Sequence, residues 1–173
     1  ETTINAVIHP QLNETLIDIE KTIKALERNK FVVHYFETGA EAVAYLKNRI
    51  QNKCVAIGDS RTLLEIGIHD TLSEVNEDIT DIQRPLPGES FRDTALRTMG
   101  RDVFLTSVNA LSQTGEMVNI DGTGNRVAAS LFGSQEVFFV LGVNKITPDL
   151  ASAIYRARNV AAPLNSKKNK KSS

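Results

Sequence analysis

The chain has no tryptophan, a single cysteine and only five prolines in 173 residues, and aromatic residues make up 6%. The lone cysteine, Cys54, excludes an internal disulfide and a metal cluster built from cysteines of this chain. It lies in an apolar run and reads as a small buried residue, in keeping with a reducing, cytoplasmic setting. Long apolar runs are missing too. None approaches the roughly 20 residues that a bilayer-spanning helix needs, so no membrane span is expected. Net charge is nearly absent: Lys plus Arg is 20 against Asp plus Glu 21, a formal charge of -1. That balance gives no electrostatic footprint for nucleic acid. His9, His34 and His69 share no metal-ligand spacing. There is no Gly-Lys-Ser/Thr phosphate loop and no Ser nucleophile elbow. The run Gly122-Thr-Gly-Asn-Arg-Val127 lacks the third glycine of a dinucleotide fingerprint.

What is present is enough apolar sequence, 41%, for one compact α/β domain over residues 1–166. Residues 1–10 carry little signal. From Gln11 the spacing of Leu12, Leu16, Ile19, Ile23 and Leu26 predicts an amphipathic helix, with Asn29 as a left-handed stop. Residues 31–36 form a strand by β-branched and aromatic content. Thr38-Gly-Ala-Glu41 is a capping box, opening a helix that turns Val43, Leu46 and Ile50 inward. Residues 54–57 read as a buried parallel strand. Leu72 and Val75 suggest a short helix, residues 78–82 a weak strand, and Ser90 with Asp93 the next helix start, stopped at Gly100. A strand over 103–107 enters a hairpin about Gly115 with a return strand over 116–120. A helix over 126–132 and a strong strand over 136–143 follow. Thr147 is placed as cap of the last helix, with Pro148 at its first position and Pro163 at its end. Residues 167–173 read as a disordered basic tail. Alternation of strands and helices predicts a mainly parallel sheet with helices on both faces.

Residues 104–126 concentrate small, hydrogen-bonding and glycine residues between regular elements, where loops carry function. In a parallel α/β sheet, ligands bind beyond the C-terminal strand ends. The candidate loops there are 58–62, 107–110 with 121–126, and Asn144-Lys145. If they converge, Gly58, Ser60, Thr62, Ser107, Asn109, Gly122, Thr123, Gly124, Asn125, Arg126, Asn144 and Lys145 form an anion-binding inventory. Asp121 and Glu116 are the acidic residues placed for acid–base or nucleophilic work. Each has a plainer reading. Loop 58–62 can be a capped β–α turn, Arg126 an anchor paired with a carboxylate, Lys145 a solvated charge and Glu116 a hairpin surface residue.

Four linked motifs bear a resemblance. They are Gly58-Asp-Ser-Arg-Thr-Leu-Leu-Glu-Ile-Gly67, Phe104-Leu-Thr-Ser-Val-Asn-Ala-Leu111, Thr114-Gly-Glu-Met-Val-Asn-Ile-Asp-Gly-Thr-Gly-Asn-Arg126 and Leu141-Gly-Val-Asn-Lys-Ile-Thr-Pro-Asp-Leu150. In this order they resemble the LUD domain (lactate utilisation, LutC-like), with Asn159-Val-Ala-Ala-Pro-Leu-Asn165 like its closing helix end. The resemblance implies a three-layer α/β/α fold of the NagB/RpiA/CoA-transferase type. It implies a role beside iron–sulfur oxidoreductase partners in oxidising L-lactate to pyruvate, to which the loop residues above add the expectation of a small anionic ligand. Members that stand alone often carry a C-terminal cysteine cluster; residues 167–173 have no cysteine, so no cluster is expected on this chain. Two alternatives stay open: a non-catalytic assembly subunit, and a transferase or isomerase acting on a CoA ester or sugar phosphate. Self-association is open as well.

Overall fold

The computed structural model describes residues 17–164 in full and the strand Thr2–Val7 by its backbone. Leu12, Leu16, His9 and the basic tail lie outside the described residues.

Six parallel strands make the main sheet: β1 (Thr2–Val7), β2 (Phe31–Phe36), β3 (Cys54–Ile57), β4 (Asp78–Asp81), β5 (Val103–Thr106) and, later in the chain, β8 (Glu136–Leu141). Their order is β2-β1-β8-β5-β3-β4. Both faces are covered, and strand alternation divides the core accordingly. Val55 and Ile57, Val103 and Leu105, and Phe138 and Val140 point to one face. There they meet α2 (Gly39–Arg49), α3 (Arg61–Glu65) and α4 (Ile68–Ser73) through Leu46, Leu63, Ile68 and Leu72. Ala56, Phe104, Val137, Phe139 and Leu141 point to the other, against Leu26 of α1 (Ile19–Arg28) and Ala129 of α6 (Asn125–Leu131). Met99, just beyond α5 (Phe91–Arg97), joins this face. The result is a three-layer α/β/α arrangement.

A second, three-stranded sheet is added at the C-terminal edge: β7 (Met117–Val118), β6 (Ala110–Ser112) and β9 (Ile146–Thr147). β6 pairs antiparallel with β7 and parallel with β9. The last helix, α7 (Leu150–Arg156), lies on it through a layer of alanines, Ala110, Ala153 and Ala157, whose small side chains let helix and sheet approach closely. Gly115 closes the hairpin at φ +97°, and an added Cβ would lie 3.1 Å from the backbone of Ala25. The turn is thus seated on α1, where Asn29 Nδ2 donates to its carbonyl at 3.1 Å.

Several expectations are corrected. Residues 2–7 form an interior strand, between β2 and β8, although the first ten residues carry little sequence signal. Its Thr-Thr-Ile-Asn-Ala-Val composition hides it, because interior parallel strands usually read as continuous apolar runs. Lys30 at φ 69°, not Asn29 at φ -82°, takes the left-handed stop after α1. Thr147 belongs to β9, and Asp149 caps α7 by accepting from the Ser152 amide at 2.7 Å. After α7 the backbone widens into a π-helical segment, Ala157–Ala161, and helical backbone runs through Pro163 to Leu164. Cys54 is half-exposed at the start of β3, and a hydrogen bond with Asp78 raises its pKa.

Candidate functional site

Three neighbouring parallel strands, β8, β5 and β3, end on one edge and each sends its chain into one of the candidate loops. β5 leaves through Ser107 toward β6, and β8 leaves through a 3-10 turn, Val143–Lys145, toward β9. Because β5 pairs with β8 and β6 pairs with β9, both connections cross between the sheets side by side. β3 leaves through Gly58 into α3. The three loops meet at Lys145. Its Nζ donates to Thr62 Oγ1 at 2.9 Å and to Ser107 Oγ at 2.7 Å.

Lys145 is half-buried and sits within 4 Å of no carboxylate among the described residues. Burial is the main cause that lowers its pKa from 10.5 to about 8, with Arg156 and Arg126 adding repulsion and Glu65 opposing them. Arg156, on the last turn of α7, folds back over the same place. Its Nε donates to the carbonyl of Asn144 at 3.2 Å and its Nη1 to the carbonyl of Asn109. Nη2 has no acceptor among the described residues. Burial also lowers the Arg156 pKa, which for a guanidinium leaves the charge in place.

Arg126 is used differently. It is 9% exposed, on α6. Nε and Nη2 reach Asp121 Oδ1 at 2.9 and 2.8 Å, Nη1 reaches the Ser107 carbonyl at 3.2 Å, and Nη2 also reaches Asn109 Oδ1 at 2.8 Å and the Ile120 carbonyl at 3.3 Å. The guanidinium ties together the strand exit, the return from the hairpin and its own helix. Asp121 holds the pair from the other side, its Oδ2 accepting from the Val127 amide at 2.6 Å at the start of α6. Both carboxylate oxygens are therefore engaged, which leaves Asp121 poorly placed as an acid or base. Asn109 is a second hub: its Oδ1 also accepts from the Ile120 amide at 2.8 Å.

The remaining candidates divide. Ser60 Oγ accepts from the Leu63 amide at 3.3 Å as the cap of α3. Gly58 is required by packing, since an added Cβ would lie 3.0 Å from the Phe104 ring. Gly122, Thr123 and Gly124 are exposed, with Thr123 Oγ1 donating to the half-buried Asn125 at 2.5 Å. Of the two glycines only Gly124 has positive φ, 79°. Asn144 is exposed beside Lys145. Glu116 is not brought to the cluster. It sits at the closed end of the hairpin, where Ser112 and Thr114 donate to its carboxylate and hold its pKa low. A proton-accepting role in the cluster is not served from that end, which is opposite to Asn109 along β6 and β7.

Arg156 was missed by sequence reasoning. In Ile-Tyr-Arg-Ala-Arg it has the form of a surface cation of a helix, and only the folding of α7 onto the second sheet brings it to Lys145. Elsewhere, a cavity of about 380 Å³ opens at the opposite, N-terminal strand edge, lined by Arg49, Lys53, Asp102, Val103, Gln135 and Glu136. Its charges are largely satisfied: Arg49 pairs with Glu136, and Asp102 accepts from the Cys54 amide and from Gln135. Iron–sulfur clusters take several cysteine thiolates, so Cys54 alone does not fit one. No helix among the described residues is long and apolar enough to cross a membrane.

Neither a search of curated proteins nor a search of solved structures returns a match. A family model does match, over residues 19–173 and hence over every loop of the site, and the chain belongs to the LUD domain family.

Proposed function

We propose that this LUD-domain protein serves lactate or related organic-acid utilisation by binding a small carboxylate where the three loops meet. Lys145 and Arg156 hold the anion, Thr62 and Ser107 orient the lysine, and Arg126 with Asp121 fixes the frame. One observation carries the reading: two half-buried cations face the C-terminal strand edge, held among the described residues by neutral oxygens only, with N–H groups left over. A structural cation ordinarily meets a carboxylate, as Arg126 does. Cations held only by hydroxyls and carbonyls form a receptor for an anion that the described residues do not supply. Oxidation of lactate to pyruvate needs an electron acceptor. In this reading the electrons pass to iron–sulfur oxidoreductase partners in the cytoplasm.

The test is a thermal-shift and calorimetry panel of lactate, pyruvate, phosphate, sugar phosphates and CoA, on the wild type and Arg156→Met. A specific carboxylate hit, weakened about tenfold or more in Arg156→Met, is expected from loss of a charge-assisted contact. A folded wild type that binds none of these anions refutes the reading. A second reading, an assembly subunit, is favoured by Leu131 and Phe132, 79% and 87% exposed at the end of α6. Co-purification of an oxidoreductase that is lost on Phe132→Ser, with no anion bound, supports it.

A further inference from the structure

We propose that Lys145 is a nucleophile, its amine condensing with the carbonyl carbon of a small oxo carboxylic acid whose carboxylate rests on Arg156. The inference rests on the anion-site reading above and adds covalent chemistry to it.

Thr62 Oγ1 and Ser107 Oγ accept from Nζ at 2.9 and 2.7 Å, and no third acceptor is found among the described residues. Ser107 is 2% exposed, and its own carbonyl is gripped by Arg126 Nη1. The amine is therefore aimed by a rigid support, with an N–H left over. A lysine that serves only as a charge needs no such aim.

Next come the groups around it on every packed element. α7 contributes Arg156, anchored on the carbonyl of Asn144, the residue next to Lys145. α6 contributes Arg126, and α3 contributes Glu65. Asp121 is engaged by Arg126, and Glu65 is engaged by Arg61 at 2.6 Å. Cations thus outweigh the available negative charge, and burial acts in the same direction. Both favour the neutral amine, and the pKa of about 8 leaves roughly a tenth of it with a free lone pair at pH 7, far more than a lysine at 10.5 would have. A desolvated lysine beside another cation is a recognised way to make an amine nucleophilic.

The chemistry balances without a further reactant. The Nζ lone pair forms a C–N bond to the carbonyl carbon as the π pair moves to oxygen. The proton that the nitrogen gives up goes to that oxygen, a second proton taken from solvent turns the hydroxyl into a leaving water, and the nitrogen lone pair expels it to leave the iminium ion. The hydroxyls of Ser107 and Thr62 touch Nζ and are placed to relay these protons. Arg156 Nη2 supplies the donors for the carboxylate. An aldehyde without a carboxylate would react but would not be concentrated there.

Pyruvate, the smallest 2-oxo acid, is the probe. Wild type is incubated with pyruvate and borohydride, then analysed by intact mass and peptide mapping. Lactate, which has the carboxylate but no carbonyl, is the competitor, and Lys145→Arg keeps a cation without a nucleophile. The expected result is one reduced adduct, on the peptide holding Lys145, slowed by lactate and absent in Lys145→Arg. Arg156→Met should slow trapping by pyruvate about tenfold or more, and trapping by acetaldehyde clearly less, since acetaldehyde loses only the share of neutral amine that Arg156 repulsion maintains. An adduct spread over surface lysines, or retained in Lys145→Arg, overturns the nucleophile. So does no adduct when pyruvate still raises the melting temperature, and in that case the anion site survives. Neither adduct nor thermal shift with any panel anion removes both readings.

Discussion

Replacing Lys145 by methionine should make this protein more stable at neutral pH, although it removes two hydrogen bonds. The folded state holds the Lys145 pKa at about 8 instead of 10.5. At about 1.36 kcal/mol per pH unit, that difference is roughly 3 kcal/mol. The sign follows from proton counting. Between about pH 8 and 10.5 the unfolded chain binds a proton at this position that the native state does not, so stability rises with pH across that window. Below pH 8 the native state carries a desolvated cation and the full penalty applies. Methionine keeps the stem and loses the charge, along with the contacts to Thr62 and Ser107, each worth about 1 kcal/mol. Lys145→Met should therefore gain roughly 1 kcal/mol at pH 7 and fall behind the wild type near pH 10. Urea unfolding of both proteins at four pH values between these limits measures the difference, and the titration of every other group cancels. A difference that stays constant with pH, or a methionine variant that loses more at pH 7 than at pH 10, would refute the reasoning.

Other substitutions test the frame around the site. Arg126→Met leaves Asp121 buried without its partner and should cost about 3–5 kcal/mol in urea unfolding, with part of it recovered by adding Asp121→Asn. Gly115→Ala meets both a φ of +97° and the Ala25 backbone at 3.1 Å, and should destabilise by well over about 1 kcal/mol. Gly122→Ala meets neither obstacle and should leave the melting temperature unchanged or slightly raised. Glu89 is held at a pKa of about 2 by Arg97 first and the Leu86 amide second. Its contribution is complete above about pH 4.5 and is lost as pH falls toward 2, so Glu89→Gln should flatten the acid limb of the stability profile.

The main sheet was largely legible in the sequence because most of its strands are rich in apolar and β-branched residues, the inner ones burying side chains on both faces. Residues 31–36, 54–57 and 136–141 announce themselves by continuous apolar and β-branched content. Short strands did not. β9 is two residues long, and Thr147 next to Pro148 carries a helix-cap pattern that its pairing with Ser112 overrides. The site was legible as loops but not as roles. Arg126 and Lys145 are both cations in loop-flanking positions, and nothing local says that one meets a carboxylate and the other meets hydroxyls. That difference is set by partners 5 to 83 residues away, from Asp121 to Thr62. Arg156 depends on a helix docking onto a sheet built from two distant segments, a level of organisation that periodicity does not reach.

The junction of the two sheets explains why the site holds its cations so differently. Where a strand leaves one sheet for another, its carbonyls lose their ladder partners and must find other donors. Ser107, Asn109 and Asn144 lie in those transitions, and guanidinium groups satisfy each of their carbonyls. A guanidinium suits that task because its several N–H groups are fixed in one plane and stay charged. Arg126 is almost fully used by it, so its charge is matched by Asp121 and the frame is rigid. Arg156 is used on one side only, and Lys145 has a hydroxyl cradle in place of a counter-ion. The same structural need, closing the backbone between sheets, thus leaves positive charge unmatched among the described residues at the strand edge where an anion can approach. Adding a carboxylate there should cancel the site without harming the fold. Ser107→Asp would place one beside Nζ, which Ser107 Oγ now meets at 2.7 Å, raise the Lys145 pKa and abolish anion binding while the melting temperature holds or rises. Retained anion affinity in a folded Ser107→Asp protein would show that the unmatched charge at Lys145 is not what attracts the ligand.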